Sequence, residues 1–121
     1  MYSQDLKNKC MNELPDQAVD RVALYFQALS EPTRLRILNL LRKGEYNVGE
    51  LAQACGYTAA NMSRHLSMLT AQGFVQREGR GNNVYYKIAD PTIYQLCDLV
   101  CDRITQQQMQ SWPLTTPVAG A

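Results

Sequence analysis

With 121 residues, the chain is long enough to bury one core and short enough for a second copy to add to its stability. No apolar run approaches the roughly 18 residues of a membrane span, and the opening MYSQDLKNKC lacks the apolar centre of a signal peptide. A cytoplasmic protein with no membrane partner is therefore expected, its four cysteines being reduced thiols rather than disulfides. The net charge of +1 says little about partners, but its distribution says more. Residues 30–87 hold eight basic groups against four acids, whereas both ends are net acidic. A basic centre between acidic ends points to one face for phosphates and another for something else.

An arm is expected over residues 1–14, which are polar and weakly periodic. From Pro15 a helical pattern begins, with Ala18, Val19, Val22, Phe26 and Leu29 on one face. Ser30 is the expected N-cap of the next helix and Pro32 suits its first turn. Leu35, Leu38 and Leu41 should face inward there, and Gly44 should end it. Asn47 and Glu50 have the spacing of a capping box. The short helix they open presents Val48, Leu51, Ala52 and Cys55 inward, and Gly56 turns the chain. Thr58 caps a following helix whose Met62, Leu66 and Leu69 point to the core. That leaves Ala59, Ala60, Ser63, Arg64 and Ser67 outside. After Gly73, Phe74–Glu78 and Val84–Ile88 read as two strands, joined by the turn Gly79-Arg80-Gly81-Asn82-Asn83. Asp90-Pro91 starts a last helix, with Ile93, Leu96, Cys97, Val100, Cys101 and Ile104 as its apolar stripe. The domain should span 15–105, and the Pro/Thr/Gly-rich end, 106–121, should be a disordered tail.

Two short helices joined by a tight turn, followed by a hairpin with a cationic tip, describe a winged helix-turn-helix, mainly α with a β-hairpin wing. Such a module places its second helix in the major groove of double-stranded DNA. Ala59 and Ala60 are small enough not to block the groove. Thr58, Ser63 and Ser67 offer hydroxyls, Asn61 suits an adenine edge, and Arg64 suits a guanine edge or a phosphate. Arg80, flanked by glycines, would reach the minor groove or a phosphate. The plainer reading leaves these as solvent-facing residues of a small α+β domain, or gives the module a protein partner instead of DNA. The ordered combination of caps, turn, small residues and wing favours DNA. An enzyme is not expected: there is no carboxylate pair, Cys–His arrangement or phosphate-binding glycine loop in a supporting context.

The chain resembles the ArsR/SmtB family of bacterial winged-helix repressors. The resemblance is carried by ALSEPTRLRILNLL (28–41), VGELAQACG (48–56), NMSRHLSML (61–69), GFV (73–75) and, in the wing, GR (79–80) with NVYYKI (83–88). It implies a homodimer joined through the first and last helices, bound to operator DNA of a stress or detoxification operon and released by a metal, metalloid or thiol-reactive signal. The wide apolar stripe of the last helix agrees, since a monomer of this size would struggle to cover it. A two-fold dimer would call for a near-palindromic operator.

The resemblance also offers sensor sites to test. The zinc-type site maps onto Asp90, Thr92, Arg103 and Gln106, of which only the Asp is a fitting ligand. The cysteine site beside the reading helix maps onto Asn47, Gly49 and Ala52, which have no thiol. The two-cysteine redox switch would need a thiol near Leu38, where Asn39 stands. What remains is Cys97 and Cys101, four apart on one face of the last helix. Their β-carbons should lie about 5–6 Å apart, too far for the roughly 3.5–4.5 Å of an unstrained disulfide. A soft ion can bridge them, with bonds to sulfur of about 2.3 Å in zinc thiolates. All-thiolate ligation favours As(III), Sb(III) or another soft metal ion as inducer, with Cys10 as a possible third donor. No cofactor should be needed for the fold. Cysteines are also ordinary small core residues, and Cys55 is better explained as packing. Asp98 and Asp102 disfavour a reactive thiolate nearby. A repressor that senses oxidants or reactive sulfur on the same fold is the alternative.

Overall fold

The structure, a computed structural model, describes residues 15–107. The expected arm, residues 1–14 with Cys10, lies outside the described residues, as does the expected tail from residue 108 onward; its first two residues, Gln106 and Gln107, belong instead to the last helix. In chain order the elements are α1 (Asp16–Leu29), α2 (Pro32–Leu41), β1 (Tyr46–Asn47), α3 (Val48–Cys55), α4 (Ala59–Ala71), β2 (Val75–Arg80), β3 (Asn83–Ile88) and α5 (Thr92–Gln107). They fall into two compact units, one ending at Ala89 and the other beginning at Asp90.

In the first unit the core is built from α2, α3, α4 and the sheet. Ile37, Leu51, Met62, Leu66 and Leu69 are fully buried, joined by Leu38, Leu41, Phe74 and Val75. The ring of Tyr25 from α1 meets Phe74 edge-on at 4.6 Å between centroids. Buried Ala52 leaves room for α4 to pack close on α3. The expected inward set on α2 is corrected at one position: Leu35 is 42 % exposed, and Ile37 takes its place. The 3.6-residue period allows that rotation, because Leu35 and Ile37 flank the same Leu38–Leu41 stripe.

The sheet has three strands, in the order β1-β3-β2, all antiparallel. β1 is not evident from the sequence. Tyr46 and Asn47 pair with Tyr86 and Tyr85, which ties the entry to α3 onto the wing. The hairpin is also tighter than the sequence suggests. β2 runs on through Arg80, which pairs with Asn83, leaving Gly81-Asn82 as a two-residue turn. Gly81 has φ of +61°, the left-handed first position that such turns require. Arg80 is thus the last residue of a strand, not the tip of a loop.

The second unit contains α5. Asp90 caps it, its Oδ1 accepting from the Thr92 N–H at 3.0 Å and from the Thr92 hydroxyl at 2.6 Å. These bonds hold the Asp90 carboxyl below its ordinary range. Ile93 is buried, Leu96, Cys97 and Ile104 are half-buried, and Leu99 and Val100 are 68 % and 50 % exposed. No described helix is long and apolar enough to cross a membrane.

Candidate nucleic-acid interface

Local hydrogen bonds set the two helices of the reading head. Asn47 Oδ1 accepts from the Glu50 N–H at 2.8 Å, and the Glu50 carboxylate accepts from the Asn47 N–H at 2.9 Å, closing a full capping box. At the other end of α3, Gly56 adopts φ of +70° and ends the helix in a left-handed turn. Thr58 then opens α4, its hydroxyl oxygen accepting from the Asn61 N–H at 3.1 Å. The Thr58 O–H proton is not used by that bond and remains able to donate.

The sequence expects Thr58, Ala59, Ala60, Asn61, Ser63, Arg64 and Ser67 on the outer face of α4, and all seven are exposed. Met62, Leu66 and Leu69 lie beneath them. Arg64 donates to Asn61 Oδ1 at 3.2 Å, so the amide and the guanidinium stand together on that face.

The base of α4 holds a network that the sequence did not disclose. Arg34 is only 8 % exposed and so does not belong with the surface cations. Its Nε donates to the Ala28 carbonyl at 2.6 Å and its Nη2 to the Gln27 carbonyl at 3.2 Å. These carbonyls belong to the last turn of α1, where a helix has no internal donors left and carries partial negative charge. The remaining nitrogen, Nη1, lies 3.2 Å from His65 Nδ1. A guanidinium can only donate, so Nδ1 accepts and the proton of a neutral His65 sits on Nε2. One side chain therefore joins α1, α2 and α4. Burial pushes the His65 imidazole below its ordinary value; Glu31 opposes this, while Arg34 and Arg64 reinforce it.

Around this contact, Glu31 rather than Ser30 is the N-cap of α2, accepting from the Thr33 N–H at 2.6 Å. The longer carboxylate reaches that donor, and Ser30 instead closes α1 by donating to the Gln27 carbonyl at 2.9 Å. Burial works against Glu31 ionising, but the Thr33 hydrogen bonds and the His65 and Arg34 charges outweigh it and hold its carboxyl below the usual range. The Thr33 hydroxyl donates to the Tyr57 hydroxyl at 2.6 Å, and the Tyr57 ring lies 5.8 Å from that of His65. Glu31, Arg34, Tyr57, Asn61, Arg64, His65 and Met68 line an open cavity of about 590 Å³ beside the outer face of α4.

On the wing, Arg80 forms ion pairs with Glu45 and, at 3.1 Å, with Glu78, while its guanidinium lies 4.7 Å from the centroid of the Tyr85 ring. The pleat explains the grouping. Glu78 and Arg80 share one face of β2, and Tyr85 stands opposite Glu78 on β3. Hydrogen bonds to Glu78 and Glu45 raise the guanidinium further above neutrality, and the same contact holds the Glu78 carboxyl below its usual range.

As for the thiols, Cys97 is half-buried and Cys101 exposed on α5, and Cys55 is half-buried on α3. Burial raises the Cys55 thiol, with Arg36 opposing. No group of three or more His, Cys, Asp or Glu side chains able to hold a metal ion occurs among the described residues.

An exposed helix behind a capped turn, with a three-stranded wing beside it, defines a winged helix-turn-helix DNA-binding protein. Residues 31–77 match the bacterial regulatory protein family arsR. Over 92 residues the chain is 36 % identical to the HTH-type transcriptional regulator NmtR of Mycobacterium tuberculosis, covering 76 % of this chain and 77 % of that one. Over 84 residues it is 33 % identical to a "probable mercury resistance operon repressor" of Streptomyces lividans, covering 69 % and 67 %. Among solved structures it is similar to the homodimeric winged helix-turn-helix DNA-binding domain of a possible ArsR-family regulator from Mycobacterium bovis. The TM-score is 0.70 at 30 % identity, over 84 % of this chain and 97 % of the other. The chain belongs to the ArsR/SmtB family: it is a DNA-binding transcriptional regulator, not an enzyme.

Proposed function

We propose that the chain is a homodimeric, cytoplasmic repressor of a stress or detoxification operon, released from its operator by a thiophilic metal or metalloid. The observation that carries the DNA half is the face of α4, where Thr58, Ala59, Ala60, Asn61, Ser63, Arg64 and Ser67 stand outward over a buried apolar base. Arg64 and Asn61 are the base-reading pair, and the hydroxyls and Arg80 engage the backbone. The mutual hydrogen bond of Asn61 and Arg64 supports this by fixing two polar ends side by side. Dimerisation is supported by the exposed Leu99 and Val100 on α5 and by the homodimeric relative. A second copy would set two reading helices about one DNA turn apart.

The sensing half rests on Cys97 and Cys101. Both stand on α5 at the four-residue spacing that puts side chains on one helix face, and Cys101 is open to solvent. Two thiolates supply part of a ligand set for a soft ion such as As(III) or Sb(III). A third donor has to come from Cys10 or from the second copy, because the described residues supply no three-ligand cluster. The mercury-resistance relative is in keeping with a thiophilic signal. Gel-shift titration with arsenite decides the point. Reduced wild type should release DNA from its own promoter region, and Cys97→Ser/Cys101→Ser should hold it. Equal release by both proteins, or by neither, rejects the cysteine sensor. Release by peroxide or polysulfide with a new crosslink on non-reducing gels would move the signal to thiol oxidation. Unchanged DNA binding by Arg64→Glu/Arg80→Glu at physiological salt would reject the reading head itself.

A further inference from the structure

The wing cation is already occupied. Arg80 lies between the carboxylates of Glu45 and Glu78, with its flat face on Tyr85. Glu45 comes from the loop before β1, 35 residues away in sequence, and Glu78 from the same strand face as Arg80 itself. All three charged side chains are substantially open to water, at 42 % for Arg80, 37 % for Glu45 and 51 % for Glu78. Exposed pairs of this kind are weak and exchange readily. They are competitors for a ligand, not locks.

We propose that Glu45 and Glu78 set the DNA discrimination of this protein by competing with phosphate for Arg80. Affinity for arbitrary DNA comes almost wholly from cations that replace condensed counterions on phosphates. A guanidinium flanked by two carboxylates contributes little to that term, and the carboxylates themselves repel the backbone. Only a complex that brings a phosphate or a narrow minor groove close to the wing can draw Arg80 away from both. The clamp thus withholds one cation from nonspecific DNA and releases it to a well-fitted site. Tyr85 keeps the guanidinium flat in either state, so the exchange requires a small movement rather than refolding of the wing. The inference rests on the wing being a DNA contact, and the experiment separates the two.

The probe is a random-sequence 30-base-pair duplex, with binding followed by fluorescence anisotropy between 50 and 200 mM salt. Glu45→Gln/Glu78→Gln, which keeps shape and removes charge, should bind about threefold or more tightly at the low-salt end and steepen the log–log salt slope by about 1. One added phosphate contact corresponds to an extra loss of roughly 3.5-fold across that salt range. In an Arg80→Ala background the same pair of substitutions should have a much smaller effect. If the glutamine variant binds no more tightly, or tightens equally without Arg80, the competition does not exist. On this random duplex Arg80→Ala alone should change little, because the clamp already withholds the cation; if it also leaves affinity and slope unchanged on DNA from the protein's own promoter region, the wing is not a DNA contact, and the inference falls with that reading.

Discussion

α4 and α5 are both amphipathic, yet they meet solvent differently. On α4 the apolar residues Met62, Leu66 and Leu69 are completely covered, and both ends of the preceding helix as well as its own start are capped. On α5 Leu99 and Val100 stay half or more exposed, and the two thiols sit along the same helix. The first helix is completed within the chain, with a polar outer face left exposed. The second carries uncovered apolar surface, in keeping with the proposed dimer. α4 is thus finished by short-range contacts within its own unit, whereas α5 leaves apolar side chains open to solvent.

The contrast can be broken most directly by truncation. Leu66→Ala should cost about 2–5 kcal/mol in urea denaturation, at any protein concentration, because it leaves a cavity in a filled core. Leu99→Ala should instead leave the fold of the single chain intact and weaken association, read as a raised dimer dissociation constant in analytical ultracentrifugation. Next in size is Arg34→Ala, which removes the side-chain donor to the Ala28 carbonyl and to His65 and one of the donors to the Gln27 carbonyl. It should lose at least about 1.5–3 kcal/mol by the same assay and weaken DNA binding, since α4 loses its tie to α1. A stability within experimental error of wild type would show that the buried network does not hold the head. Thr58→Ala should cost about 1 kcal/mol by removing one cap, with a matching rise in amide exchange in the first turn of α4. Smallest is the effect of pH. His65 is the only histidine, and burial lowers its affinity for a proton in the folded chain. The unfolded chain therefore binds more protons as pH falls below about 6.5. Stability should be full above that value and decline as pH drops through the lowered folded value. His65→Gln should flatten the decline between pH 7 and 5, and an unaltered slope would place its origin elsewhere.

Most of the reading head was legible in the sequence because its determinants are short-range. The Asn47–Glu50 box, Gly56, the Thr58 cap and the inward Met62, Leu66 and Leu69 all act within one or two helical turns. The misread features each involve a distant partner or a competing acceptor. Arg34 reads as a surface cation until α1 ends against it. Ser30 reads as a cap until Glu31 reaches the same N–H. Gly79 and Arg80 read as loop until β3 pairs with them. The two-residue strand β1 carries no periodicity of its own, and only its pairing with Tyr85 and Tyr86 creates it.

The sequence alone determined that a capped helix-turn-helix precedes a hairpin, and which residues of α4 face outward, because helical period and end-capping are set by neighbours in the chain. The tertiary structure alone decided what surrounds Arg34 and Arg80. It buried Arg34 under His65, 31 residues away, and clamped Arg80 onto Glu45, 35 residues away. A charge acts according to what lies beside it, and contacts at that separation exist only once the chain has folded.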